Sequence, residues 1–97
     1  MRTYDFKRGH RKSMDEIERI MSDIFGNVKR DGDKLVSSYK GLEKIVVWME
    51  GKKLAAETKT KQVSDDEAMD TLKTWNEFLF KVTGYTAKER KKKMTKS

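Results

Sequence analysis

The chain has 97 residues, 40% of them charged, with 23 Lys plus Arg against 16 Asp plus Glu and a formal net charge of +7. It has no Cys, no Pro and a single His, His10, which excludes a disulfide scaffold, thiolate chemistry and a zinc site built from the usual ligands. No apolar run approaches the ~18 residues of a membrane span, and the polar first dozen residues hold no signal-peptide core, so one soluble, cytoplasmic domain is expected over 1–97, with its core over about 2–84.

Thr3 to Arg8 alternates, with Tyr4 and Phe6 on one side and Thr3, Asp5 and Lys7 on the other. This is the pattern of a short strand with one buried face. A basic loop, Arg8-Gly9-His10-Arg11-Lys12, follows. Ser13 and Glu16 then form an S-x-x-E capping box that opens a helix. Met14, Ile17, Ile20, Met21, Ile24 and Phe25 recur along it at helical spacing, and Gly26 suits the position after its end. Residues 27–63 read as a meander of four strands. Val28 begins the first, which turns at Asp31-Gly32. Leu35, Ser37 and Tyr39 alternate with Val36, Ser38 and Lys40 in the second, before a turn at Gly41. Ile45-Val46-Val47-Trp48-Met49 is the most strand-like run, and Gly51-Lys52 marks the turn after it. Leu54, Ala56, Thr58 and Thr60 alternate with Ala55, Glu57, Lys59 and Lys61 in the last strand.

Ser64 and Glu67 form a second capping box, with Asp65 and Asp66 where the helix dipole favours negative charge. Ala68, Leu72, Trp75, Leu79 and Val82 make the expected buried stripe of this helix, with Phe78 at its edge and Phe80 off it. Gly84 ends it. Thr86 and Glu89 form a third box, which predicts a short basic helix over about 86–95. The fold class expected is therefore α+β: a two-layer sandwich of a five-stranded antiparallel sheet with its helices on one face, in the order β-α-β-β-β-β-α-α.

Charge is segregated along this order. The first twelve residues carry +4, residues 13–26 carry −3, residues 27–63 carry +4, residues 64–84 carry −3 and residues 85–97 carry +5. In a two-layer sandwich the acidic helices cover one side and the basic sheet residues belong to the other. If Ile45, Val47 and Met49 face the helices, then Lys44, Val46, Trp48 and Glu50 face out, together with Lys34, Val36, Ser38, Lys40, Glu57, Lys59 and Lys61, and with Lys7 from the first strand. Strand register decides on which face Trp48 falls.

Such a face attracts nucleic-acid backbones through counterion release, and Trp48 is placed to stack on a base. The candidate binding residues are Lys7, Arg8, Arg11, Lys12, Lys34, Lys40, Lys44, Trp48, Lys59 and Lys61, joined by Arg90, Lys91, Lys92 and Lys93 of the C-terminal run. Arg8, Arg11 and Lys12 precede a helix N-terminus, where free amides favour phosphate. The same lysines would equally solvate a sheet face and guard its edges. The basic run lacks the opposed apolar face of a membrane-surface helix. No G-x-S-x-G, phosphate loop or H-x-x-x-H is present, so neither catalysis nor a metal or cofactor is implied. Three readings follow, in this order: a monomeric, weakly sequence-specific nucleic-acid binder, with DNA favoured over RNA; a protein-interaction module anchored by Trp48 or Phe80, whose charge serves solubility; and, last, an enzyme of unrecognised type.

The phrases Lys44-Ile45-Val46-Val47-Trp48 and Ala68-Met69-Asp70-Thr71-Leu72-Lys73-Thr74-Trp75, with this length and element order, resemble a family of short, uncharacterised archaeal proteins. The resemblance covers Thr3 through Met94. It implies a TATA-binding-protein-like sandwich with a curved sheet, an extra C-terminal helix and DNA binding through a positive surface. TATA-binding proteins use two copies of the unit and wedge paired Phe residues between base steps. This chain has one copy, and Phe6, Phe25 and Phe78 are expected in its core.

Overall fold

The computed structural model describes residues 2–86, 88 and 89. Both long helices begin where the capping chemistry places them. In α1 (Met14–Phe25) the Ser13 hydroxyl accepts from the Glu16 amide at 3.2 Å, and the Ser13 amide donates back to the Glu16 carboxylate at 3.2 Å. In α2 (Asp65–Thr83) the Ser64 hydroxyl accepts from the Glu67 amide at 3.3 Å, but the Glu67 carboxylate accepts from the Ser64 hydroxyl at 3.3 Å instead of the Ser64 amide, so only half of the expected box forms. The third box also forms, with the Glu89 amide donating to the Thr86 hydroxyl at 3.2 Å and the Thr86 amide donating to the Glu89 carboxylate at 3.1 Å. The helix expected to run on to about residue 95 lies outside the described residues.

Five strands, β1 (Arg2–Tyr4), β2 (Lys29–Asp31), β3 (Lys34–Tyr39), β4 (Leu42–Glu50) and β5 (Lys53–Thr60), form one antiparallel sheet in the order β1-β5-β4-β3-β2. Successive strands of the meander are joined by two-residue turns. Gly32 (φ +62°) and Gly51 (φ +61°) each lead their turn, the backbone that aligns strands with the native twist. The β2–β3 turn is Gly32-Asp33, one residue later than the pattern predicts, because Asp31 pairs with Lys34.

Both helices cover one face of the sheet. Ile17, Met21 and Phe25 of α1 and Phe78, Leu79 and Val82 of α2 pack against Leu35, Leu42, Ile45, Val47, Leu54 and Ala56. Phe25 lies at the centre of an aromatic cluster, its ring 5.2 Å from Phe78, 5.8 Å from Tyr39 and 6.3 Å from Trp75. Phe6 is half-buried against this core, less enclosed than Phe25 and Phe78.

The first strand ends at Tyr4 instead of Arg8. β5 begins at Lys53 and offers no partner beyond it, and the Lys7 amide turns away to donate to Thr83 O of α2 at 2.7 Å. The α2 stripe is rotated, so that Thr71 and Phe78 are buried while Ala68 and Leu72 are exposed. Thr71 turns inward because its hydroxyl accepts from the Gly41 amide at 3.0 Å and donates to Glu67 O at 2.6 Å, which leaves position 72 about 100° round the helix, toward solvent. Lys40 leaves the strand alternation altogether. It takes a left-handed backbone (φ +38°) in the β3–β4 turn, and its ammonium meets Asp70 of α2 at 2.6 Å.

Candidate nucleic-acid interface

The register settles the outer face of the sheet. Trp48 stands between Ala55 on β5 and Lys34 on β3, and Val46 between Glu57 and Val36, while Lys29 of β2 lies opposite Val36. Ile45, Val47 and Met49 point to the helices. Trp48 is half-buried on the outer side. Its indole N–H donates to Glu50 Oε2 at 2.9 Å, and the Lys34 ammonium sits over its ring, 4.8 Å from the centroid. Val36 and Val46 extend this apolar strip beside it and are also half-buried.

At the other end of the strip β4 carries a bulge. Leu42 pairs with Thr60 and Lys44 with Lys59, so Glu43 is one residue too many for either neighbouring strand. Leu42 and Ile45 stay buried while Glu43 and Lys44 are both exposed. Bulges of this kind re-aim side chains and recur beside binding sites. Here the result is a shallow groove of about 520 Å³ lined by Lys29, Lys44, Lys59, Glu43, Ser38 and Asn27, among others. Asn27 fixes its far wall: its side-chain amide donates to Ser38 O at 3.0 Å, and its side-chain oxygen accepts from the Ser38 amide at 3.2 Å and the Ser37 hydroxyl at 3.0 Å. Lys44 and Lys59 lie directly opposite one another across the ladder, a like-charge placement that costs stability in isolation. Glu43 approaches Lys59 at 3.7 Å, with both side chains largely in solvent.

Of the candidate residues, the structure brings Lys34, Lys44, Trp48 and Lys59 onto this one face. Lys61 lies just past β5, at the end of the sheet near the β3–β4 turn, its amide donating to Gly41 O at 3.0 Å. Lys40 is pulled to the helix side by Asp70. That carboxyl also accepts from Tyr39 OH at 2.8 Å, and the hydrogen bonds from Lys40 and then Tyr39 hold it below the usual carboxylate range. Lys7 is likewise off the open face, at the C-terminal end of α2, 3.9 Å from Glu89. Arg8 and Arg11 are exposed and Lys12 half-buried in the loop before α1. Arg90, Lys91, Lys92 and Lys93 lie outside the described residues. Asp31, Glu50 and Glu57 share the sheet face with the lysines. The alternation across the β2–β3 turn carried the signal for Lys29, since the partner of an outward Val36 is also outward; for the bulge that adds Glu43 to the groove, the signal was the adjacent polar pair Glu43-Lys44 between Leu42 and Ile45, which strict alternation cannot place. Among the described residues no group of three His, Asp or Glu side chains is placed to hold a metal ion, and no helix is long and apolar enough to cross a membrane.

Residues 1–96 match the family model described as Domain of unknown function (DUF5611). The chain belongs to this family. An NMR solution structure of a hypothetical protein from the archaeon Thermoplasma acidophilum is similar to the DUF5611 chain over 100% of both chains, with 36% sequence identity and a TM-score of 0.72. The same α+β layering thus extends to an archaeal relative. A search of curated proteins returns no match to the domain.

Proposed function

We propose that this DUF5611 domain is a non-enzymatic, monomeric, cytoplasmic binder of nucleic acid, with DNA ahead of RNA, that grips the phosphate backbone through the outer sheet face and the basic chain ends. The observation that carries the reading is the Lys44–Lys59 pair beside the β4 bulge, with Lys29 on the same groove. Like charges set opposite one another are relieved by an anion between them, and the release of condensed counterions drives such binding. The sheet order and the placement of both helices on one face support reading the fold as TATA-binding-protein-like, a fold-level argument for DNA that carries less weight than the site. The outer face presents Trp48, Val36 and Val46 and no Phe pair among the described residues, so a TATA-type wedge is not part of the proposal.

Titration with duplex and single-stranded DNA and RNA across a salt series tests this. Log K is expected to fall linearly with log salt, with a slope of about −0.9 per phosphate contact on duplex and about −0.7 on single strands. K44Q/K59Q should lower that slope by about two contacts. Failure to bind any of these at low salt refutes the proposal.

One observation favours a protein partner instead. Met69 is 73% exposed, Leu72 62% and Phe80 47%, all on the solvent side of α2, and Leu72 borders a groove of about 310 Å³ with Leu42, Val63, Ala68 and Trp75. On that reading a partner's binding survives K44Q/K59Q and high salt, and is lost in M69A/L72A.

A further inference from the structure

We infer that the outer sheet face is built for a single strand of nucleic acid, not for a duplex, an inference that rests on the polyanion reading above. Three features of the face point the same way. Its centre is apolar, with Val36, Val46 and Trp48 half-buried and Ala55 fully buried in the outward register beside Trp48. A duplex keeps its base faces stacked inside and offers that strip only groove edges, sugars and phosphates, whereas a single strand offers the flat face of each base. Trp48 is held in one orientation by the bond from its indole N–H to Glu50, and the cation over its ring is a Lys. That flexible side chain is free to swing to a flanking phosphate when a base takes its place on the indole.

The charge layout supplies the third argument. The lysines form no continuous field: Lys29, Lys44 and Lys59 gather at the bulge, and Lys34 stands at the Trp48 end. Glu57 lies between these two sets on the β5 side, opposite Val46. Trp48 and Lys44 are four residues apart on one strand, about 13 Å. A duplex laid across the sheet would press its paired phosphate rails onto Glu57, Glu50 and Asp31 as well as onto the lysines. A single strand running along β4 meets a base platform at one end and the lysine groove at the other, and passes beside Glu57 and Asp31, while Glu50 is engaged by the Trp48 indole and Glu43 by Lys59.

The test uses the full chain with three probes: an unstructured oligothymidine, the matching oligouridine and a mixed-sequence DNA duplex, at one low salt concentration. The single strands should bind at least tenfold tighter than the duplex and quench Trp48 emission, read as the difference between the wild type and W48F. W48A should weaken single-strand binding by roughly tenfold or more while leaving duplex binding within about twofold, and W48F should retain most of the single-strand affinity. Either oligothymidine or oligouridine meeting these terms supports the inference, and their ratio identifies the sugar preferred. Duplex binding equal to or tighter than both single strands, or W48A acting equally on all three probes, overturns the inference and leaves the polyanion reading standing. No binding by any probe overturns both. If circular dichroism shows that W48A has lost its fold, the quenching decides: an unquenched Trp48 in the single-strand complex overturns the inference.

Discussion

Gly84→Ala probes how the N-terminal loop is fastened to the rest of the domain. Gly84 closes α2 with a left-handed backbone (φ +86°), its amide donating to Phe80 O at 2.8 Å. Giving that conformation to an L side chain costs about 1–2 kcal/mol. A Cβ at position 84 would also stand 2.8 Å from Cγ and Nδ1 of the His10 ring and 3.0 Å from Lys7 Cβ, closer than real Cβ contacts permit. The loop must move, which adds about 1–3 kcal/mol. The expected total is about 2–5 kcal/mol, a large part of the ~5–15 kcal/mol that stabilises a domain of this kind. At about 4–8 °C per kcal/mol, Tm should fall by at least about 8 °C. Gly26 provides the control, since it caps α1 with nearly the same backbone (φ +80°) and nothing lies within 4 Å of a Cβ built there. G26A should therefore cost only the backbone part. Urea unfolding of G26A, G84A, H10A and H10A/G84A closes the comparison, and removal of the His10 ring should recover part of the loss in G84A. If G84A costs no more than G26A, or H10A/G84A recovers nothing, the close approach of the loop to Gly84 is not what constrains that position.

Phe78→Ala should cost about 3–5 kcal/mol, because its fully buried ring packs at a tilt against Phe25 and Trp75, whereas Leu72→Ala should change stability by less than about 0.5 kcal/mol; equal losses in urea unfolding would put Leu72 back in the core. Asp70→Asn should flatten the pH dependence of Tm. A carboxyl whose folded value is depressed stabilises above its unfolded value, near pH 4, and loses that contribution as pH falls through the folded value, so the wild-type advantage over D70N should be full at neutral pH and vanish in acid. Lys40, raised chiefly by its hydrogen bond to Asp70, acts in the opposite direction: its contribution is full at neutral pH and is lost as pH rises past the ordinary lysine range and through the raised folded value. Ser13→Ala should cost about 1 kcal/mol by removing the α1 cap, measurable as a shift in the urea midpoint with an unchanged slope.

The parts of the fold readable in the sequence are those set by neighbours in the chain. The Ser13–Glu16 box and the stripe through Ile17, Met21 and Phe25 are local, and both appear in place. The outward run Lys44, Val46, Trp48 was legible because β4 alternates cleanly through Ile45 and Val47. What sequence reading missed was set by distant groups. Thr71 turned α2 because a backbone amide thirty residues away in the chain, that of Gly41, lies beside it. Lys40 left the sheet face because Asp70 waits on a helix that alternation in β3 says nothing about. Lys7 left it because Thr83 O, and no residue of β5, was in reach of its amide. The groove at Lys44 and Lys59 depended on a one-residue bulge: strict alternation from Ile45 puts Glu43 inward and Leu42 outward, and the run Leu42-Glu43-Lys44-Ile45, with two polar residues between two apolar ones, is where that alternation fails.

The sheet order also has a kinetic consequence. Strands β2 to β5 zip up through two-residue turns, but β1 reaches β5 only by pairing Tyr4 with Leu54 through to Arg2 with Ala56, and so must close a loop of about fifty residues before it gains anything. This places β1 and the loop behind it among the last parts to settle and the first to open, and their amides should exchange with solvent well before those of β4. Beyond its pairing with β5 and the Asp5–Lys53 pair, the segment is tied to the far end of the chain, through the Lys7 amide on Thr83 O and the Lys7–Glu89 pair. A ligand that holds either basic end therefore slows the opening of both, and its binding should register as added protection at β1 even where Tm barely moves.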